Sequence, residues 1–185
     1  MVNSNLKIIK NNCLICGFPN SRWWASKNSY DTYQCLNCGF VYTFPIPSQE
    51  EINRIYNQEY FESYNPEKEI HDELYEKRVI QYKIDVNYVL RFVSSGKVLD
   101  FGCGNGKYLE TMPKEFEKIG YEFNPRAVDY LVTTKIGQFY TGDWEKMPID
   151  DENLDLITMR GVIEHLTDPV ACLLYTSDAA DEEDS

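Results

Sequence analysis

Apolar and polar positions divide the chain into segments of different period. Between the first cysteine, Cys13, and Phe40 lie short aromatic and β-favouring runs, as in WWASKNSYDTYQ (Trp23–Gln34), with a turn at Lys27–Ser29. Such runs around a polar turn predict short hairpin strands. Pro45 and Pro47 close this segment, and Ser48, with Glu50 and Glu51 behind it, is placed as the N-cap of a short helix. From Pro66 to Val93, residues Ile70, Leu74, Val79, Tyr82, Val86, Val89 and Leu90 recur at roughly helical spacing. That spacing predicts one long amphipathic helix, or two broken near Ile84. A short apolar strand at Val98 and Leu99 then ends in Asp100, and a glycine-rich turn leads into another helix.

Six cysteines change the reading of the first segment. Cys13, Cys16, Cys35 and Cys38 form two C-x-x-C pairs separated by eighteen residues, each pair followed by glycine, Gly17 and Gly39. Two thiolates on one tight turn can face one metal, and Zn²⁺ favours four such ligands in a tetrahedron. Glycine tolerates positive φ, which lets backbone N–H groups turn toward the sulfurs. The alternatives are two disulfides or four free thiols, and a reducing cytosol disfavours the former. Residues 1–47 are therefore expected to form a zinc ribbon with a closed, structural Zn²⁺ site, and 48–95 a helical linker. A metal suits so short a segment, which cannot bury much core alone.

Composition narrows the partners. The 185 residues carry a net charge of −12, with 18 basic and 30 acidic residues. This argues against nucleic-acid binding through a broad basic face. No stretch has the apolar length of a membrane span, and MVNSNLKIIKNN has no signal-peptide pattern. The expected location is cytoplasmic and no membrane partner is expected. The oligomeric state is not written in the sequence.

The glycine loop carries the functional signal. Lys97–Glu110 reads KVLDFGCGNGKYLE, with Gly102, Gly104 and Gly106 between a strand and a helix. A helix N-terminus fed by such a loop suits an anion or carboxylate. The dinucleotide fingerprint G-x-G-x-x-G fails here, because its sixth position is Lys107. Asp-x-Gly-x-Gly-x-Gly fits, and from Gly96 to Val170 the chain resembles the class I S-adenosylmethionine-dependent methyltransferases. KIGYEF (Lys118–Phe123) then reads as the second strand, ending at Glu122. GQFYTGDWEKMPI (Gly137–Ile149) reads as the third strand and its loop, and NLDLITMRGVIEHLTDP (Asn153–Pro169) as the fourth, opened by Asp155.

The resemblance implies a Rossmann-like α/β fold over residues 96–171 and S-adenosyl-L-methionine as cofactor. It implies that Asp100, Gly102, Cys103, Gly104 and Gly106 form the cofactor loop and that Glu122 accepts bonds from the ribose hydroxyls. Asp143 and Trp144 would lie at the adenine, and Met159 and Arg160 beside the methionine part. Cys103 reads as a small packing residue rather than a nucleophile. His165, in the sequence Glu164-His165-Leu166, is a candidate catalytic base. Tyr60, with Tyr56 and Tyr64, either covers the acceptor or belongs to core packing. His71 is expected on the surface.

A ribbon ahead of such a domain also resembles methyltransferases of bacterial sugar, polysaccharide and secondary-metabolite pathways. The expected acceptor is accordingly a small molecule or a nucleotide-linked sugar. Two alternatives are weighed. One is an RNA methyltransferase docking RNA through Lys7, Lys10, Arg22, Lys27, Trp23 and Trp24 of its ribbon. The other is a non-enzymatic zinc-ribbon interaction protein. The run CLLYTSDAADE (Cys172–Glu182) resembles a translated sequencing adapter, so residues 172–185 are expected to be a non-native tail. The family sheet has seven strands, and four are assigned here. The expectation is a fold cut short after strand four, inactive as written.

Overall fold

The structure, a computed structural model, describes residues 8–55, 73–149, 154–166 and 168–178. It divides into two compact units, residues 1–55 with 166–172, and 56–165 with 173–185.

In the first unit, β1 (Ile8–Lys10), β2 (Asn20–Lys27), β3 (Tyr30–Cys35) and β4 (Val41–Thr43) form an antiparallel sheet in chain order. Lys27 pairs with Tyr30 across a two-residue turn. Asn28 and Ser29 both have positive φ, 51° and 67°, the twist that two-residue hairpins require. A bulge at Trp23–Ala25 breaks the register of β2 against β3. The small core consists of Cys13, Cys35 and Tyr42, with Leu14, Phe18 and Phe40 against it. Buried Ser21 bonds the Tyr42 hydroxyl at 2.8 Å. Beyond the cis Phe44–Pro45 bond, α1 (Gln49–Ile55) begins. Ser48 Oγ accepts from the Glu51 amide, and the Glu51 carboxylate accepts from the Ser48 amide at 2.8 Å. This reciprocal pair is a capping box, and it makes Ser48 the N-cap that the sequence indicated.

In the second unit, α2 (Glu73–Val89), β5 (Gly96–Phe101), α3 (Lys107–Thr111), β6 (Phe116–Tyr121), α4 (Pro125–Thr134), β7 (Gln138–Tyr140) and β8 (Leu156–Thr158) follow in order. The strands are all parallel, in the order β7-β6-β5-β8. The fold is the Rossmann-like α/β arrangement. Its core joins Val98, Leu109, Met112, Phe116, Leu131 and Phe139, with Val86 of α2 and Tyr108 of α3. At the entry end of the sheet Asp155 Oδ2 accepts from the Lys97 amide at 2.6 Å, and the Asp155 amide donates to the Lys97 carbonyl at 2.9 Å. A Cβ at Gly96 would overlap that carboxylate.

Helix α2 runs unbroken through Ile84, the single-helix form that its spacing predicts, and it carries apolar residues on two faces. Tyr82, Val86 and Leu90 belong to the core, while Ile80, Ile84 and Tyr88 are exposed. Strand β6 begins and ends two residues earlier than KIGYEF, because Phe116 pairs with Gly96 at the start of β5. Glu122 therefore lies just past the strand. A last helix, α5, spans Pro169–Asp178.

Candidate cofactor and metal sites

The four paired cysteines converge. Their Sγ atoms all lie within 4.8 Å of one another, and the Cys13–Cys38 and Cys16–Cys35 separations are 3.6 Å. A disulfide needs about 2.05 Å. Four sulfurs about 2.3 Å from one zinc stand about 3.8 Å apart. The two knuckles match each other. Gly17 and Gly39 have φ of 67° and 78°, and their amides bond the carbonyls of Cys13 and Cys35. The amides of Ile15 and Asn37 each lie 3.4 Å from the sulfur two residues earlier. The Phe18 amide, then the Asn37 side chain, bring the Cys16 thiol down to about 6. At Cys38 the Phe40 amide pulls the same way, yet desolvation and the three other sulfurs outweigh it and push that thiol up to about 12. Four thiols this close cannot all ionise without a cation among them, so the donor set fits Zn²⁺.

The second site lies where the sheet reverses its winding. From β5 the chain builds β6 and β7 on one side and returns to β8 on the other. In open α/β sheets the crevice beyond the strand ends at such a point is the ligand-binding position. Three glycines shape its first wall, with φ of 79°, 56° and 72° at Gly102, Gly104 and Gly106. The amides of Gly102 and Cys103 bond the Tyr121 carbonyl at 2.7 and 2.9 Å, which ties the loop to β6. A Cβ at Gly102 would overlap Val162, and one at Gly106 would overlap Leu131; one at Gly104 would meet nothing within 4 Å. The backbone at Gly104 thus faces open space.

Glu122 spans the mouth of the loop. One carboxylate oxygen accepts from the Gly104 amide at 2.8 Å and the other from the Asn124 amide at 3.0 Å. Asp100, buried at the end of β5, accepts from the Thr158 hydroxyl of β8 at 2.7 Å. Burial pushes the Asp100 carboxyl up to about 6; Thr158 and Arg160 oppose the shift, and Glu122 adds to it. Burial, with Asp100 and Glu122 nearby, also pushes the Cys103 thiol up. That thiol packs over Gly120, as a packing residue should.

Residues 75–178 match the family described as "Methyltransferase domain". The chain belongs to this methyltransferase family. An uncharacterized methyltransferase of Schizosaccharomyces pombe is 33% identical along a match 103 positions long that covers 47% of this chain and 37% of that protein. The chain thus matches little more than a third of the curated relative's length. Two solved structures share the fold. A candidate S-adenosyl-L-methionine-dependent methyltransferase of Methanococcus maripaludis is 20% identical with a TM-score of 0.52, over 60% of this chain and 55% of that one. Magnesium protoporphyrin IX methyltransferase of Synechocystis PCC 6803, solved with SAH bound, is 14% identical with a TM-score of 0.53, over 72% and 68%.

In this methyltransferase domain the remaining candidate residues fall as follows. Asp143 pairs with Lys146 at 2.6 Å, and Trp144 stands edge-on to Phe101 at 6.1 Å. Phe101 also stacks on Tyr121 at 4.7 Å, so Trp144 extends an aromatic cluster beside the crevice. Met159 and Arg160 follow β8, and the Arg160 side chain reaches Asp85 of α2 at 2.6 Å. His165 is exposed and closes a short 3-10 turn, Ile163–His165. Tyr56, Tyr60, Tyr64 and His71 lie outside the described residues. Sequence reading missed Thr158. Asn124, followed by Pro125, starts α4, and its buried side chain caps the helix by accepting from the Arg126 amide at 3.0 Å. Nothing local marks Thr158. No helix among the described residues is long and apolar enough to cross a membrane.

Proposed function

We propose that residues 96–171 bind S-adenosylmethionine and that the protein transfers its methyl group to a small-molecule acceptor, a nucleotide-linked sugar being the first to test. The observation that carries this reading is the state of Glu122. A carboxylate offers about four lone-pair sites. Two are taken by the amides of Gly104 and Asn124, and two remain for the paired hydroxyls of a ribose. The open space at Gly104 supports the same reading, since a bound group can approach bare backbone there.

The cofactor supplies an activated methyl when bound, so the chain's own residues need to orient it and exclude water. Asp100, Gly102, Cys103, Gly104 and Gly106 would hold it at the loop, Asp143 and Trp144 at the adenine, and Met159 at the methionine end. His165 and Tyr60 are the proposed acceptor-side residues. The ribbon, residues 1–47, would hold one structural Zn²⁺ through Cys13, Cys16, Cys35 and Cys38. Residues 48–95 would link it to the methyltransferase domain. Titration with S-adenosylmethionine and SAH tests the reading. Saturable binding that Glu122→Ala weakens supports it, and no binding overturns it.

A further inference from the structure

The crevice has two walls, the glycine loop with α3 behind it and the segment after β8. Arg160 lies on the second wall, and its side chain is held on three sides. Its guanidinium is 2.6 Å from Asp85 Oδ2. It lies over the ring of Tyr82 at 4.4 Å and over that of Tyr108 at 4.6 Å. The two rings meet edge-on at 5.9 Å. Tyr108 is the second residue of α3, directly behind Gly106, and Tyr82 and Asp85 lie on α2. A guanidinium between two aromatic faces, with its charge met by a carboxylate, fixes distance and angle together. Below this stack, Gly102 and Val162 approach so closely that no Cβ fits between the walls.

We infer that Arg160 is a positioning residue: held by Asp85 and Tyr82, it pins Tyr108 and so sets the spacing between the glycine loop and the segment after β8. Its contacts among the described residues are with α2 and α3. The inference rests on the cofactor reading above. It adds that α2 belongs to the binding machinery, joined to both walls through one side chain. The effect should be confined to the part of the ligand lying between the walls, which the proposed cofactor reading makes the amino-acid end.

The test compares two probes on the full chain, SAH and 5′-methylthioadenosine, which lacks the amino-acid end. Arg160→Gln should weaken SAH by about tenfold, within the range for a residue coupled to a site through packed neighbours, and leave methylthioadenosine unchanged. Arg160→Lys keeps the charge but not the planar stack, so it should not rescue SAH binding. Asp85→Asn supplies a milder variant if Arg160→Gln fails to fold, and it should show the same selective loss. Equal loss of both probes would make Arg160 a general stability residue, and loss of neither would make it dispensable; both overturn the inference alone. An unmodified chain that binds neither probe overturns the cofactor reading and this inference with it.

Discussion

The Thr158 hydroxyl donates to Asp100 Oδ1 across the β5–β8 pair, at the point where the sheet changes its direction of winding. The bond joins the ends of two strands whose loops form the crevice. It also leaves a carboxylate in a place where ionisation is costly, since Asp100 is only 2% exposed.

That cost gives a pH dependence. The folded-state value for Asp100 is raised from 3.8 to about 6, by burial first. A raised carboxyl means that the folded protein binds the proton more tightly than the unfolded chain. Its contribution is therefore present below pH 4 and lost as pH rises through about 6. The full loss is roughly 3 kcal/mol at 1.36 kcal/mol per unit, and about half of it falls between pH 5 and pH 7.5. Asp100→Asn can keep an acceptor for Thr158 and removes the titration. Urea unfolding of both proteins across that range should show the variant gaining on the wild type as pH rises. Parallel curves would mean that Asp100 does not titrate in the fold.

The ribbon makes a separate prediction. Four sulfurs within 4.8 Å should hold about one zinc per chain, measurable by elemental analysis. Structural zinc in small modules carries roughly 10–16 kcal/mol of apparent binding energy, so chelation should unfold β1–β4. The fluorescence of Trp23 and Trp24 on β2 reports that loss directly. Cys13→Ser should release the metal. A protein purified without zinc that keeps its ribbon fold would contradict the assignment.

The two sites were legible to different depths, for a physical reason. Cys13 and Cys16, like Cys35 and Cys38, meet within one turn, so their chemistry is written in local spacing. The glycine loop is local too. What escaped reading depends on distant partners. The Thr158–Asp100 bond spans 58 residues, and the pairing of the candidate residue Arg160 with Asp85 spans 75. Neither pairing exists until the fold brings its two segments together. Helix α2 was legible as a helix with its inward face, since Tyr82, Val86 and Leu90 of the periodic stripe pack into the core, while the exposed Ile80, Ile84 and Tyr88 fall outside that stripe. The start of β6 lies two residues before Lys118 because register is set by pairing with β5, not by the run of apolar residues.

Asn124 provides a stability test independent of the ligand. Its side chain caps α4 from a buried position, and Pro125 follows at the first turn. Asn124→Ala should cost about 1 kcal/mol for the lost cap, seen as a lower denaturant midpoint with an unchanged slope. Asn124→Asp keeps the acceptor but adds a charge near Glu122, so it should recover the cap less than fully.

The three loop glycines should fail in two different ways, and this separates ligand contact from packing. All have positive φ, so any substitution carries some backbone strain. At Gly102 a methyl group overlaps Val162, and at Gly106 it overlaps Leu131. Gly102→Ala and Gly106→Ala should therefore destabilise the fold itself, by about 1–3 kcal/mol as over-packing does, whether or not ligand is present. At Gly104 nothing lies within 4 Å, so a methyl group has room in the free protein. Gly104→Ala should cost only the backbone strain, about 1 kcal/mol. Gly104→Val should remove SAH binding, because the branched side chain fills the space kept for the ligand. Thermal unfolding and SAH titration of the four variants give the comparison. If Gly104→Val binds SAH as the wild type does, the ligand does not approach the loop at Gly104, and the cofactor must lie elsewhere in the crevice.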